Sequence, residues 1–90
     1  MKKVMVFGTF DILHKGHIHM LKEAKKLGDY LIVVIARDKN VKVIKNVYPQ
    51  NNEIIRMNKV KEINLADKII LGDLYDKYLS ELAFHVESNP

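Results

Sequence analysis

Gly8-Thr9-Phe10-Asp11-Ile12-Leu13-His14-Lys15-Gly16-His17 is the stretch whose reading decides the fold. The apolar residues Val4 to Phe7 run straight into Gly8, and a helical pattern begins at Lys15, so the stretch connects a buried strand to a helix. At such junctions open α/β sheets bind their ligands. Gly8 lets the backbone approach a ligand closely, Thr9 offers a hydroxyl, and the N–H groups that open the helix favour an anion. His14 and His17 stand three residues apart and can lie on one side of the first helical turn. Backbone donors, a helix dipole and two imidazoles suit a polyphosphate.

Outward from this junction the pattern is strand, helix, strand. Lys2 to Phe7 is the first strand, with lysines leading a continuous apolar run, as in a strand covered on both faces. The first helix runs from Lys15 to Leu27, with Ile18, Leu21, Ala24 and Leu27 as its apolar stripe and Gly28 as its stop. Leu31 to Ala36, rich in β-branched residues, is the central buried strand, and the order implies a right-handed parallel crossover. Arg37 to Lys45 is a charged segment at the carboxyl end of the sheet, on the same side as the Gly8 turn, where a solvated loop is the bland reading and a phosphate-facing segment the functional one.

Pro49 breaks the chain, and Asn51 or Asn52 caps a second helix from Glu53 to Asn64. Ile54, Met57, Val60 and Ile63 form its buried stripe, with Arg56 outside it. Asp67 opens the third strand, Ile69 to Leu71, which Gly72 ends. Tyr75, Tyr78, Leu79, Leu82 and Val86 recur at helical spacing, so a last helix is expected from Asp76 to Val86.

Ninety residues, 48% of them apolar, make one small domain with a modest core. The absence of cysteine excludes a disulfide framework and a thiolate metal site. Leu31 to Ala36 is the longest apolar run and is too short to span a bilayer, and the N-terminus enters a strand, so a soluble, cytoplasmic protein with no membrane partner is expected. The net charge of +4 fits nucleic acid as well as a pocket for a triphosphate. No exposed aromatics interleave with the lysines, and no nucleic-acid partner is expected. A metal site fails on geometry: His19 lies about 200° around the helix from His17 and cannot join His14 and His17.

Gly8-Thr9-Phe10-Asp11 and His14-Lys15-Gly16-His17 resemble the GTFD and HxGH motifs of the nucleotidyltransferase superfamily that includes glycerol-3-phosphate cytidylyltransferase and archaeal FAD synthetase. A lone HxxH is weak, but here both motifs stand complete at fixed spacing, and such a compound match is specific. The resemblance implies a Rossmann-like (HUP-type) α/β fold, a parallel sheet with helices on both faces, with three strands present and later ones missing. Ala36-Arg37-Asp38 and Val41-Lys42 look most like the archaeal FAD synthetase group, which implies ATP and FMN as substrates. CTP with a small alcohol phosphate is the alternative, and a truncated, non-catalytic nucleotide-binding or assembly module is another.

By the same resemblance His14 and His17 serve the α-phosphate and bridging oxygen, and Gly8, Thr9 and Phe10 bind the phosphates through the turn. Lys42 and Arg56 neutralise the acceptor phosphate or departing pyrophosphate, with Lys45 matching a second basic position less closely. An aspartate follows the arginine in the family at the distance of Asp67 from Arg56. Asp11 orients the turn or a histidine, and Asp38 faces the acceptor. A magnesium ion accompanies the triphosphate. Family members continue with a fourth strand, a G-x-D turn, a fifth strand and a Ser/Thr-rich turn, none of which is found between Leu82 and Pro90. The single domain 1–90 is thus expected to be incomplete at its C-terminus. Loss of the later strands leaves Lys3 to Phe7 as a sheet edge, and a homodimer covering it is expected.

Overall fold

The computed structural model describes residues 2–72 and the backbone of residues 83–88. Three parallel strands, β1 (Lys2–Gly8), β2 (Tyr30–Ile35) and β3 (Lys68–Leu71), and a fourth, β4 (Ala83–Ser88), form one sheet in the order β3-β2-β1-β4. The register sets Val4 opposite Leu31, Val6 opposite Val33 and Gly8 opposite Ile35, so the side chains of Val4, Val6, Leu31, Val33 and Ile35 share a face. Against that face pack Leu21 and Ala24 of α1 (Lys15–Lys26) and Val60 of α3 (Glu53–Ile63), with Met57 and Ile63 at the margin. Both helices cover one face, as two crossovers of the same hand stepping in one direction require. Removing a fully buried anchor such as Leu21 costs roughly 2–5 kcal/mol, which sets the scale of what holds α1 in place.

The expected boundaries of α1 and α3 hold closely, with different reasons at two positions. Gly28 has no positive φ. It is needed because a Cβ there would lie 2.7 Å from the Lys2 carbonyl oxygen and 2.8 Å from Val4 Cγ2, where α1 turns back against β1. At the start of α3 Asn52 is the cap, its side-chain oxygen accepting from the Ile55 N–H at 2.9 Å, which leaves Asn51 for a separate task.

The charged segment after β2 is not a loop. It forms α2 (Asp38–Lys45), ended by Asn46 in the left-handed conformation at φ 61°. Asp38 in its first turn and Lys42 and Lys45 in its last turn complement the helix dipole. Only Val41 is buried, against Ala36, so the apolar stripe was too narrow to reveal the helix.

The other correction concerns the C-terminus. Residues 73–82, where most of the expected last helix falls, lie outside the described residues. Ala83 to Ser88 form β4, so that helix does not reach Val86. β4 runs antiparallel to β1, with Val86 opposite Val4 and Phe84 opposite Val6. The edge of β1 is therefore paired within the chain, and the expected exposed edge that a homodimer would cover is not there.

Hydrogen bonds at the strand starts lock the register. Lys2 donates to Asp29 Oδ2 at 2.9 Å and the Asp29 N–H donates to the Lys2 carbonyl at 2.8 Å. Leu31 donates to Asp67 Oδ2 at 2.7 Å, the Asp67 N–H returns a bond to the Leu31 carbonyl at 2.8 Å, and Lys25 forms an ion pair with the same carboxylate. At the opposite ends the Ala36 N–H donates to the Gly8 carbonyl at 3.0 Å. The Gly8 turn thus leaves the sheet beside the start of α2.

Candidate functional site

The turn after β1 contains one conformation that a bulky side chain resists. Phe10 has φ 53° and is nonetheless fully buried in the core. Such a residue costs on the order of 1–3 kcal/mol and persists only where its surroundings hold it. Two sets of bonds do so. Asp11 accepts from the Gln50 N–H at 2.7 Å and the Asn51 N–H at 2.9 Å, while the Asn51 side chain donates to the Asp11 carbonyl at 2.8 Å. Asp11 thereby orients the loop before α3, bonding to Gln50 and Asn51 rather than to a histidine.

Arg56 supplies the second set. Its side chain is 0% exposed although the residue lies outside the apolar stripe read for this helix. It donates to the carbonyls of Asn51 at 3.0 Å, Thr9 at 2.6 Å and Ala36 at 2.7 Å, and to Asp38 Oδ1 at 2.7 Å. Four of the five guanidinium donors are thus occupied. Arg56 is a clamp that joins the ends of β1 and β2 to the starts of α2 and α3, through three carbonyls and the Asp38 carboxylate. Asp38 is likewise engaged: besides Arg56 it accepts from the Glu53 N–H at 3.2 Å, and Glu53 accepts from the Asp38 N–H at 2.9 Å. Each residue caps the other's helix, and Arg37 adds an ion pair to Glu53 at 3.6 Å.

The two histidines are assembled as expected, and their backbone partners define them further. His14 is the N-cap of α1, and its Nδ1 accepts from the Gly16 N–H at 3.0 Å. His17 Nδ1 accepts from the His14 N–H at 3.3 Å, giving a reciprocal cap built from imidazoles. The rings lie 4.1 Å apart, and Phe10 backs His17 with ring centroids 5.5 Å apart. Burial, and next the neighbouring His14, push the His17 pKa below its ordinary value.

Lys45 Nζ approaches the Thr9 hydroxyl at 3.4 Å, whereas Lys42 Nζ lies near the Asn46 carbonyl at 3.2 Å and over the Tyr48 ring at 5.5 Å. Of the two lysines, the one given less weight from sequence stands at the turn. The helix explains this: Lys45 lies three residues beyond Lys42, close to one turn further along α2. Among the described residues no three His, Asp or Glu side chains gather as a metal site, and no helix is long and apolar enough to cross a membrane.

Residues 5–82 match the family model for cytidylyltransferase-like proteins. The chain belongs to the cytidylyltransferase-like family. It is similar to the FAD synthase of Ferroglobus placidus, 51% identical over 77 residues, covering 84% of this chain and 49% of that protein. The FAD synthase of Archaeoglobus fulgidus is 52% identical over 75 residues, covering 82% of this chain and 53% of its own length. A solved structure, the lipopolysaccharide core biosynthesis protein from Thermoplasma volcanium, is 47% identical with a TM-score of 0.75 and covers 82% of this chain and 60% of that one. The chain spans about half the length of the curated relatives it matches.

Within this cytidylyltransferase-like domain, sequence reasoning missed Asn51 and Glu53 as well as the position of Lys45. The signal for Glu53 was available, since Asp38 and Glu53 are the first residues of successive helices, where carboxylates favour exposed N–H groups.

Proposed function

We propose that this chain is the nucleotide-binding part of a nucleotidyltransferase that passes AMP from ATP to FMN and releases pyrophosphate. The observation that carries this reading is the gathering of His14, His17 and Lys45 around the Thr9 turn, at the positive end of α1 and the carboxyl ends of parallel strands. The similarity to two FAD synthases supports ATP and FMN over other pairs.

In the proposed reaction a phosphate oxygen of FMN attacks the α-phosphorus of ATP in line. The new P–O bond forms as the bond to the bridging oxygen breaks, and pyrophosphate carries the electron pair away. Catalysis is positioning and charge stabilisation without a covalent enzyme intermediate. His14 and His17 donate to the α-phosphate and bridging oxygen, where charge grows. Thr9 and Phe10 offer backbone N–H groups, and Gly8 leaves room for the phosphates. Lys45 neutralises the triphosphate, joined by Lys42 once it leaves the Asn46 carbonyl. Arg56, Asp11 and Asp38 act by shaping the turn. The carboxylates of Asp11 and Asp38 already accept bonds from protein N–H groups, which fits a magnesium ion held by the triphosphate oxygens rather than by this chain.

The family description favours one second reading, transfer of CMP from CTP to a small alcohol phosphate. Measuring pyrophosphate release with each substrate pair separates the two, and turnover with CTP alone refutes the first. Adding ATP and magnesium to the 90-residue chain should shift the amide resonances of Gly8 to His17. Shifts confined to the exposed Lys22 and Lys26 face of α1 would contradict the site. We place the reaction in the cytoplasm, with no membrane or nucleic-acid partner. A homodimer remains part of the proposal through a surface other than β1, and sedimentation at micromolar concentration checks it.

A further inference from the structure

Gly16 has no left-handed conformation to explain it. Its neighbour explains it instead: a Cβ on Gly16 would lie 2.8 Å from His14 Cε1 and 3.0 Å from His14 Nδ1. The imidazole of His14 folds over the first turn of α1 through the space that a side chain would fill, and only there does its Nδ1 meet the Gly16 N–H. A nitrogen that accepts a hydrogen bond carries no proton, so the proton of neutral His14 sits on Nε2. The bond from the His14 N–H imposes the same state on His17.

We propose that Gly16 is a positioning residue for the two histidines: by admitting the His14 ring to the helix start it completes the reciprocal Nδ1 cap, which fixes both imidazoles as Nε2–H donors. This rests on the reading that the site takes a nucleoside triphosphate, for which two outward donors of known tautomer are the useful form. An Nδ1–H tautomer would turn an acceptor toward the phosphate oxygens and set an N–H against the N–H it now caps. The two caps therefore exclude the unproductive tautomer before any ligand arrives. Alanine, ordinarily the better helix former, is disfavoured at position 16 by the His14 ring alone.

The test uses the 90-residue chain with 15N-labelled histidine and correlation spectra of the imidazole nitrogens above the titration of both rings, without nucleotide. Wild type should show the pure Nε2–H pattern at His14 and His17. Gly16→Ala should convert His14 to a mixed pattern and leave His19 unchanged. An Nδ1–H or mixed pattern in wild type, or a Gly16→Ala spectrum identical to wild type at His14, overturns the assignment. His14→Asn keeps a short capping side chain without a ring. In that background Gly16→Ala should raise the melting temperature, whereas in the wild-type background it should lower it. A rise in both backgrounds also overturns the assignment. Adding ATP and magnesium should then shift the Nε2 protons of both rings with the Nδ1 pattern kept. A correct tautomer pattern with no response to ATP would overturn the nucleotide reading and the donor role that rests on it, separately from the capping result.

Discussion

Replacing Arg56 distinguishes a clamp from a phosphate ligand. Arg56→Ala removes four hydrogen bonds, leaves the carbonyls of Thr9, Ala36 and Asn51 without those donors, and strips Asp38 of its cation. Breaking a buried pair from one side costs about 3–5 kcal/mol, and each stranded buried acceptor about 1–3 kcal/mol, terms that do not add when they share one side chain. Asp38 remains 29% exposed, so water recovers part of the loss. We predict a net destabilisation of about 3–4 kcal/mol, a large fraction of the ~5–15 kcal/mol that holds a typical domain. At roughly 4–8 °C per kcal/mol for a domain of this size, the melting temperature should fall by at least about 12 °C. Arg56→Lys keeps the charge but cannot span the same acceptors with one ammonium group, and should still cost about 2 kcal/mol. Urea titration gives the free energies, and the amide shifts of Thr9 to Asp11 report the turn. If Arg56→Ala cost under about 1 kcal/mol while abolishing ATP binding, and Arg56→Lys restored that binding, Arg56 would be a phosphate ligand and the clamp would be wrong.

For the proposed transfer, His14→Ala and His17→Ala should each lower turnover about 100-fold, close to 3 kcal/mol, with a much smaller loss of ATP affinity. Equal losses in kcat and in binding would mark them as ground-state contacts, as steady-state kinetics can show. Lys45→Ala should weaken ATP binding by about 1–2 kcal/mol, roughly tenfold, and Lys42→Ala by less, in calorimetric titrations. Lys25 first, and then the Leu31 N–H, hold the Asp67 carboxyl below the usual carboxylate range. Its folded pKa being depressed, the stabilisation is complete above the unfolded value of about 3.9 and disappears as pH falls through the lower folded value. Asp67→Asn should therefore be less stable than wild type at neutral pH, with the gap in urea midpoints closing below about pH 4.

The parallel sheet and the strand-to-helix junction were legible because long apolar runs and a compound motif lie close together in the chain. Val4 to Phe7 and Leu31 to Ala36 announce strands by themselves, and the Ile18-Leu21-Ala24 spacing announces α1. What was not legible depends on partners far away in sequence. α2 hid because tertiary packing engages only Val41, so its charges read as solvated loop. β4 hid because apolar spacing up to Val86 fitted a helix as well as the Phe84-Val86 alternation fits a strand, and pairing with β1 decides between them. Arg56 was read as a phosphate ligand, and its clamp was not legible because an arginine is rarely buried unless its donors are matched, and the matching carbonyls belong to residues 9, 36 and 51. The sequence motif names the histidines, while the bonds that hold their turn come from elsewhere.

The Arg56 clamp also sets an order of assembly. Its bond to Thr9 spans 47 residues, and the bond from Asn51 to Asp11 spans 40. A chain emerging from the ribosome displays both motifs in full once β2 is made, yet at that length nothing opposes relaxation of Phe10 to an ordinary conformation. The turn takes its final shape only when α3 docks and the long loop closes. The same dependence runs in reverse in the mature protein: a transient opening of α3 dissolves the turn after β1 while β1 and β2 stay paired. Hydrogen exchange at the amides of residues 9–11 should then follow the opening of α3, a distant helix, rather than that of α1, which begins only four residues after the turn.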